Sequence, residues 1–147
     1  MSVNNILIVC TGNICRSPMA EGLMATALPG HQVSSAGTGA LSGYPADPLA
    51  RELMQGKGIS IETHRARQLN LTLCQRADLI LVMDRDQRVL VQQRYPFTSG
   101  KVFRMAEHSG QDVPDPYRQD RSAFETALAL IEQGAQQWVQ RISKITS

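Results

Sequence analysis

Apolar runs and segments with helical periodicity alternate along the chain. Residues 6–10 are apolar throughout and residues 78–83 are apolar after the first, which is typical of strands buried on both faces. Residues 32–35 and 101–105 predict two shorter strands. Strands that alternate with helices predict a parallel sheet with right-handed crossovers and helices on both faces.

Helix signals lie between these strands and after the last one. Ser17 precedes Pro18 and Asp47 precedes Pro48, so each pair combines an N-capping residue with proline at the first helical position. Residues 122–125 have the pattern of a capping box. Five helices are predicted. The first starts after Ser17 and the second after Asp47, the third and fourth cover residues 71–76 and 84–94, and the fifth runs from the capping box through Ile145.

These elements predict an α/β protein, a single doubly wound domain over residues 1–147. Its four-stranded parallel sheet would be flanked by about five helices. In such folds ligands bind beyond the carboxyl ends of the strands. The segments 10–17, 36–44 and 105–117 follow predicted strands, so we expect them to meet at that edge of the sheet.

Composition narrows the class of protein. The 147 residues, 42% of them hydrophobic, provide for one packed core. A net charge of +2 is too small to indicate nucleic-acid binding. The sequence shows neither a signal peptide nor a run of about 20 apolar residues, so we expect a cytoplasmic protein with no membrane insertion. Twelve of the 15 cationic residues are Arg, which fits oxyanion chemistry and fits an Arg-rich genome equally well.

Residues 10–17 carry the main candidate chemistry. Cys10 ends a strand, and Arg16 enters a helix after a short loop. The N–H groups of such a loop point inward and form an anion site at the helix N-terminus. Gly12 and Asn13 tolerate the positive φ that a tight turn needs. The pattern predicts a phosphate-binding loop between strand 1 and helix 1.

Two side chains of this loop suit phosphate chemistry. Arg16 can hold two phosphate oxygens with its guanidinium group. The positive surroundings favour the thiolate of Cys10, which would lie in line for attack on a bound phosphate ester. Taken alone, Cys10 would be an ordinary core residue and Arg16 a surface residue. A Walker loop is excluded because its motif is absent, and no second Cys/His cluster completes a metal site.

Asp115 is the candidate general acid. It lies between Pro114 and Pro116 in the segment 107–117, whose lack of periodicity predicts a loop. The two prolines restrict the backbone and hold the carboxyl group in one region. A departing alkoxide or phenoxide needs a proton, and a carboxylic acid in this position can supply it. Asp-Pro is also a common turn sequence without catalytic meaning.

Two motifs taken together resemble one known family. The loop Cys-x5-Arg-Ser at 10–17 is followed far along the chain by Asp-Pro-Tyr at 115–117. Segments 35–38, 65–68 and 81–84 fit the same pattern, so the resemblance covers nearly the whole chain. It is to the low-molecular-weight protein tyrosine phosphatases, and within them to the bacterial branch associated with tyrosine kinases of capsule and exopolysaccharide export.

The resemblance implies a two-step reaction that needs no metal or cofactor. Cys10 attacks phosphorus, Arg16 and the loop amides stabilise the phosphate oxygens, and Asp115 protonates the tyrosyl oxygen. Asp115 then activates water, which releases inorganic phosphate from a phosphocysteine. The implied phosphate-binding residues are Thr11, Gly12, Asn13, Ile14, Cys15, Arg16 and Ser17.

The same resemblance implies supporting roles around the loop. Ser17 would donate its hydroxyl proton to the Cys10 thiolate. Asn13 would shape the loop with hydrogen-bonding support from Ser35 and His64. His64 could equally be an exposed loop histidine, and Ser35 an ordinary strand residue.

Leu41 and Tyr117 are the candidate walls for the substrate. A phenyl phosphate is longer than a seryl phosphate, so apolar walls around the loop would select it. Eukaryotic members have a bulky aromatic residue in place of Leu41 and often a second Tyr in place of Arg118, which favours the bacterial branch. The implied partner is a phosphotyrosine-bearing protein, a bacterial tyrosine autokinase.

Cysteine chemistry leaves further alternatives open. The resemblance suggests a reversible disulfide between Cys15 and Cys10 that protects the nucleophile, although Cys15 could simply fill the core. A thioredoxin-coupled arsenate reductase has the same loop but needs a further cysteine pair, and only Cys74 remains. A phosphotyrosine-binding module would not need Cys10, and a cysteine phosphocarrier would not need an acid such as Asp115.

Overall fold

The computed structural model describes residues 2–146, which contain four strands and five α-helices in the predicted alternation. In chain order these are β1 Asn5–Cys10, α1 Arg16–Ala27, β2 Gln32–Gly37, α2 Pro48–Gln55, α3 Leu71–Arg76, β3 Leu79–Val82, α4 Arg85–Arg94, β4 Val102–Arg104 and α5 Arg121–Thr146. Two single 3-10 turns, Pro96–Thr98 and Glu107–Ser109, flank β4. The second is an ordered turn in a segment for which the sequence predicts only an irregular loop.

The strands form one parallel sheet in the order β2-β1-β3-β4. β1 lies inside the sheet, with Ile8 opposite Ser35 of β2 and Leu81 of β3. Cys10 packs into the core on the side of α1, α2 and α5, whereas Leu7 packs into the core on the side of α3 and α4. The predicted doubly wound α/β fold is confirmed.

Burial explains why two of the strands are continuous apolar runs. Every residue of β3 is buried, as are all residues of β1 after Asn5. Helices cover both faces of these inner strands, so each position needs an apolar side chain. The edge strands β2 and β4 are only partly buried and carry weaker apolar patterns.

One predicted helix start is correct and one is wrong. Asp47 caps α2, because its carboxylate accepts the N–H of Leu49 at 2.9 Å. Ser17 is not the N-cap of α1, since the helix begins at Arg16 and Cys15 occupies the cap position. The Ser17 side chain is buried inside the first turn and contacts neighbouring side chains instead of a backbone N–H.

The start of α5 also differs from the prediction. Asp120 caps this helix by accepting the N–H of Ala123 at 3.1 Å, so α5 starts before the capping box predicted at 122–125. An aspartate one turn earlier provides a carboxylate acceptor that competes with the Ser122 hydroxyl. Neither α5, with 26 residues, nor any other helix within residues 2–146 has the length and apolarity to cross a membrane.

α5 fixes the point at which the 105–117 loop leaves β4. Gly134 lies against the backbone of Met105, where an added Cβ would overlap the carbonyl oxygen. Trp138 Nε1 donates to the carbonyl oxygens of Arg104 and Met105, at 3.1 Å in each case. The loop that carries Asp115 therefore starts from a rigid anchor.

Candidate active site

The turn between β1 and α1 is held by the loop that follows β2. The carbonyl oxygens of Cys10, Thr11 and Gly12 accept backbone N–H groups from residues 38, 39 and 41, at 3.0 Å in each case. Asn13 adopts the left-handed φ of +60°, as its residue type allows. Because these carbonyls are bonded outward, the N–H groups of the turn are left to face an anion.

Gly37 allows this close approach. A Cβ at this position would overlap the carbonyl oxygen of Thr11 and crowd the backbone of Asn13. Gly37 also exchanges backbone hydrogen bonds with the segment 67–69, which covers the free edge of β2. The turn is therefore packed between two loops that β2 positions.

The turn lines a cavity of about 130 Å³ at the carboxyl edge of the sheet. Cys10, Arg16 and Asp115, the three predicted catalytic residues, all line it. The other lining residues are Thr11, Gly12, Ile14, Cys15, Gly39, Leu41 and Tyr117. The fold thus brings the predicted loop, the predicted acid and both predicted substrate walls to one place.

Arg16 is the buried cation of the cavity, with its side chain 2% exposed. Nη1 donates to the carbonyl oxygen of Val113 at 2.7 Å and to Asp84 Oδ2 at 3.3 Å. Nη2 lies 3.7 Å from Asp115 Oδ2. A buried guanidinium requires such partners, because an unpaired buried charge is strongly destabilising.

Within residues 2–146, no group of three or more His, Cys, Asp or Glu side chains is arranged to hold a metal ion.

A chain of hydrogen bonds leads from Asn13 to Cys10. Asn13 Oδ1 accepts the N–H of Arg67 at 2.9 Å, which fixes the orientation of the amide. Nδ2 then donates to Ser17 Oγ at 2.7 Å and to Ser35 Oγ at 3.0 Å. Ser17 Oγ lies 2.9 Å from Cys10 Sγ, and its own proton is left to donate to sulfur.

Ser35 and His64 both contact Asn13 or its backbone. Ser35 Oγ accepts a hydrogen bond from Asn13 Nδ2 and donates one to Glu21 Oε1 at 2.6 Å. His64 Nε2 lies 2.6 Å from the carbonyl oxygen of Asn13. The structure therefore places both predicted supporting residues against the residue they are expected to support.

Asp115 begins a tight turn at the rim of the cavity. Its Oδ1 accepts the N–H of Tyr117 at 3.1 Å, and its carbonyl oxygen accepts Gln119 Nε2 at 3.0 Å. Arg118 has a φ of +62°, a strained conformation for a residue with a Cβ, and its guanidinium lies 5.2 Å from the centre of the Tyr117 ring. One carboxylate oxygen is thus held by the turn while the other faces Arg16.

Cys15 is a buried cysteine inside the turn. Burial raises its pKa well above the ordinary value, and the nearby Asp47 carboxylate raises it further. Burial also raises the pKa of Cys74, which lies on the buried face of α3. All three cysteines are free thiols.

Comparison with known proteins decides the family. The family model of the low molecular weight phosphotyrosine protein phosphatases matches residues 5–147. The chain belongs to this family. Its membership fits the cavity, in which a cysteine, an arginine and an aspartate meet at the turn between β1 and α1.

Relatives of this phosphatase come from several bacteria, as the sequence resemblance predicts. EpsP of Ralstonia nicotianae, a probable low molecular weight protein-tyrosine-phosphatase, is 55% identical over 140 residues, covering 95% of this chain and 97% of that protein. Vibrio vulnificus Wzb, solved in complex with benzylphosphonate, has a TM-score of 0.92 at 41% identity, covering 95% and 99% of the two chains. The YwlE arginine phosphatase of Geobacillus stearothermophilus has a TM-score of 0.90 at 30% identity, covering 96% and 94%.

Three side chains that support the site of this phosphatase receive no role from the sequence. Asp84 pairs with Arg16, Glu21 accepts from Ser35, and Gln87 Nε2 donates to Thr11 Oγ1 at 3.1 Å. Asp84 could have been found, because it follows a predicted strand and closes the family-like segment 81–84. Glu21 and Gln87 lie on helices, where polar side chains are ordinarily solvated, so their sequence positions carry no signal.

We expect Asp84→Asn to lower the free energy of unfolding by about 1–3 kcal/mol. The amide oxygen can still cap α4 as Asp84 Oδ1 does towards the N–H of Gln87, but the buried Arg16 loses the nearer of its two carboxylate partners. Urea unfolding measures the change.

Asp86→Asn is the matched control, since Asp86 is exposed in the first turn of the same helix. It removes the same charge near the helix N-terminus and should cost less than about 1 kcal/mol. Equal losses in the two variants would show that the helix terminus, and not Arg16, accounts for the effect.

Proposed function

We propose that this chain is a protein-tyrosine phosphatase that hydrolyses phosphotyrosine through a phosphocysteine on Cys10. The proposal rests above all on the cavity that Cys10, Arg16 and Asp115 share. Cleavage of a phosphate ester by a thiol needs a nucleophile, a fixed positive charge for the phosphate oxygens and an acid for the leaving group. These three groups come from β1, α1 and the loop after β4.

In the first step the Cys10 thiolate forms a bond to phosphorus while the bond from phosphorus to the tyrosyl oxygen breaks. Arg16 and the N–H groups of residues 11–17 bind the non-bridging oxygens, whose charge is redistributed in the transition state. Asp115 gives its proton to the departing oxygen, so tyrosine leaves as a neutral phenol. The products of this step are a phosphocysteine and the Asp115 carboxylate.

In the second step water replaces the sulfur on phosphorus. The Asp115 carboxylate takes a proton from the water while the water oxygen bonds to phosphorus. The bond from phosphorus to Cys10 breaks, and its electron pair returns to sulfur. Inorganic phosphate leaves, and the thiolate and the protonated acid are both restored.

The hydrogen bonds around Asn13 support the assigned helper roles. A hydrogen bond from Ser17 Oγ, which lies 2.9 Å from Cys10 Sγ, stabilises the charged form of Cys10. Asn13 keeps that proton directed at sulfur by donating to the Ser17 oxygen. Ser35 and His64 hold the side chain and the carbonyl group of Asn13, so the left-handed turn keeps its shape.

Two substitutions test the chemical roles. Cys10→Ser should show no detectable turnover, because a serine hydroxyl lacks the thiolate's nucleophilicity. Asp115→Ala should lower kcat/KM, which reports on phosphocysteine formation, by about 10²–10⁴-fold with a phosphotyrosine peptide, which has a poor leaving group. The loss should be smaller with p-nitrophenyl phosphate, because nitrophenolate leaves with little help from an acid. Phosphate release in the presence of a chelator measures both rates.

Asp112→Asn is the matched control on the same loop. Asp112 pairs with Arg104 at 3.0 Å and does not line the cavity, so its substitution should leave the ratio between the two substrates unchanged. Turnover by Cys10→Ser at the wild-type rate would overturn the nucleophile. Equal losses of kcat/KM with both substrates in Asp115→Ala would overturn the assignment of Asp115 as the general acid.

The walls of the cavity support an aryl phosphate as substrate. Ile14, Leu41 and Tyr117 line the cavity with apolar and aromatic surface. Vibrio vulnificus Wzb was solved with benzylphosphonate, an aryl-bearing phosphonate, whereas the YwlE relative is an arginine phosphatase. A phosphoarginine side chain carries a guanidinium, and among residues 2–146 the one carboxylate that lines the cavity is that of Asp115.

We therefore expect kcat/KM for a phosphotyrosine peptide to exceed that for the same peptide with phosphoarginine by about 10²-fold or more. A phosphoserine peptide should also be poor, because its shorter side chain leaves the apolar walls without contacts. Phosphate release from the three peptides measures the preference. Equal kcat/KM for phosphoarginine and phosphotyrosine would contradict the assignment.

The physiological substrate that fits best is a bacterial tyrosine autokinase of polysaccharide export in the cytoplasm. This rests on the bacterial relatives and on the resemblance of the whole chain to that branch. Asp115→Ala should bind the phosphotyrosine substrate but turn it over slowly, so it should capture the phosphorylated kinase from a lysate. Orthovanadate, which competes for the cavity, should release it. Capture that persists in vanadate would contradict binding through phosphotyrosine.

We also propose that Cys15 protects Cys10 from oxidation. Peroxide oxidises the Cys10 thiolate to a sulfenic acid, taking one peroxide oxygen and releasing hydroxide. The Cys15 sulfur then attacks the Cys10 sulfur and forms a disulfide. The sulfenic hydroxyl leaves and takes up the proton of the Cys15 thiol, so water is released. Because burial raises the pKa of Cys15, this second step should be slow at neutral pH and faster as the pH rises.

Activity should therefore return on adding thiol to peroxide-treated wild type, and more completely when the treatment is done at higher pH. Cys15→Ala should lose activity irreversibly at every pH, because sulfenic acid proceeds to sulfinic acid. Cys74→Ala, which removes the other buried thiol, should recover as wild type does. Equal recovery in Cys15→Ala and wild type would overturn the protective role.

A further inference from the structure

A second cleft lies away from the catalytic cavity, on the face of the sheet that α3 covers. It measures about 450 Å³ and opens between the amino-terminal halves of β1 and β2 and the helix α3. Leu7 and Ala77 are buried at its floor, and Leu73 forms a half-buried wall. Polar side chains of Gln32 and Ser34 lie at its edge. It shares no lining residue with the catalytic cavity.

Two arginines give this cleft its charge. Arg67 and Arg76 both line it, and among residues 2–146 no Asp or Glu does. Arg76 makes no side-chain hydrogen bond or ion pair within that part of the chain. Arg67 uses Nε to donate to the carbonyl oxygen of Ser35 at 2.9 Å, and its two terminal nitrogens have no partner there. Arg67 and Arg76 are both exposed, so their free guanidinium nitrogens are open to a ligand from solution, whereas the buried Arg16 and the half-buried Arg104 are held by carboxylates.

We propose that this cleft is a binding site for an organic anion with an apolar body and a tetrahedral oxyanion head, such as a phosphate or sulfate ester. The two guanidinium groups would bind the head, since Arg is suited to bidentate contacts with oxyanions. The floor of Leu7 and Ala77 and the wall formed by Leu73 would contact the apolar body.

Arg67 connects this site to the catalytic turn, which makes it an effector site. The Arg67 N–H is the group that fixes the Asn13 amide, and Asn13 in turn directs Ser17 towards Cys10. An anion that holds the Arg67 side chain therefore acts on a residue that is linked to the proposed nucleophile through two side chains, those of Asn13 and Ser17. Binding at the cleft should change turnover without competing with substrate.

The test uses 2-naphthalenesulfonate, an apolar anion whose carbon–sulfur bond the enzyme cannot hydrolyse. With orthovanadate filling the catalytic cavity, the probe should shift the amide NMR signals of Ser34, Leu73 and Arg76. In the vanadate-free enzyme, a saturating concentration should change kcat for p-nitrophenyl phosphate by about twofold or more.

Arg76→Gln removes one guanidinium without touching the catalytic turn, so its basal activity should equal that of wild type. Its affinity for the probe should fall by about tenfold or more, and the effect on kcat should disappear. Arg94→Gln, an exposed arginine at the end of α4, is the matched control and should bind the probe as wild type does.

Three results would overturn the proposal. The probe could shift only the signals of residues 10–17 and be displaced by vanadate, which would place it in the catalytic cavity. Arg76→Gln could bind it as tightly as wild type. The probe could bind at the cleft and leave kcat unchanged, which would remove the effector role.

Discussion

The side chain of Asn13 is the constraint on which the site depends. One amide accepts from the backbone of Arg67 and donates to Ser17 and Ser35, so it joins the turn to α1, to β2 and to the edge segment. Its backbone is left-handed, a conformation that costs most residues about 1–2 kcal/mol and that asparagine adopts readily. Without these bonds the turn would lose both its shape and the proton directed at Cys10.

The buried charge of Arg16 is the second constraint, and the fold supplies partners for its guanidinium group on two sides. The Val113 carbonyl and the Asp84 carboxylate hold one nitrogen, while Asp115 lies near the other. The elements that carry these groups are therefore positioned partly by a cation that α1 brings into the sheet edge. The proposed phosphate site and the burial of a guanidinium are consequences of the same arrangement.

Much of the fold and the centre of the site follow from local patterns. Inner strands are continuous apolar runs because helices cover both faces, and loops after parallel strands share an edge, which brings Asp115 to Cys10. The predicted Ser17 cap is wrong because α1 begins at Arg16, which places the Ser17 hydroxyl against Cys10 and Asn13 instead of a backbone N–H. Glu21 and Gln87 are missed because only the folded chain brings Ser35 and Thr11 to them, and nothing near them in sequence distinguishes them from solvated helix residues.

The strands and the loop after β4 differ in how readily they can open. β1 is buried and hydrogen-bonded on both sides, so Cys10 belongs to the part of the molecule that opens only on global unfolding. Asp115 and Tyr117 lie on an exposed turn whose backbone includes a strained Arg118. Warming would therefore detach the acid before it disturbs the nucleophile. Shortly below its melting temperature, the enzyme would discriminate among leaving groups more sharply than it does when cold.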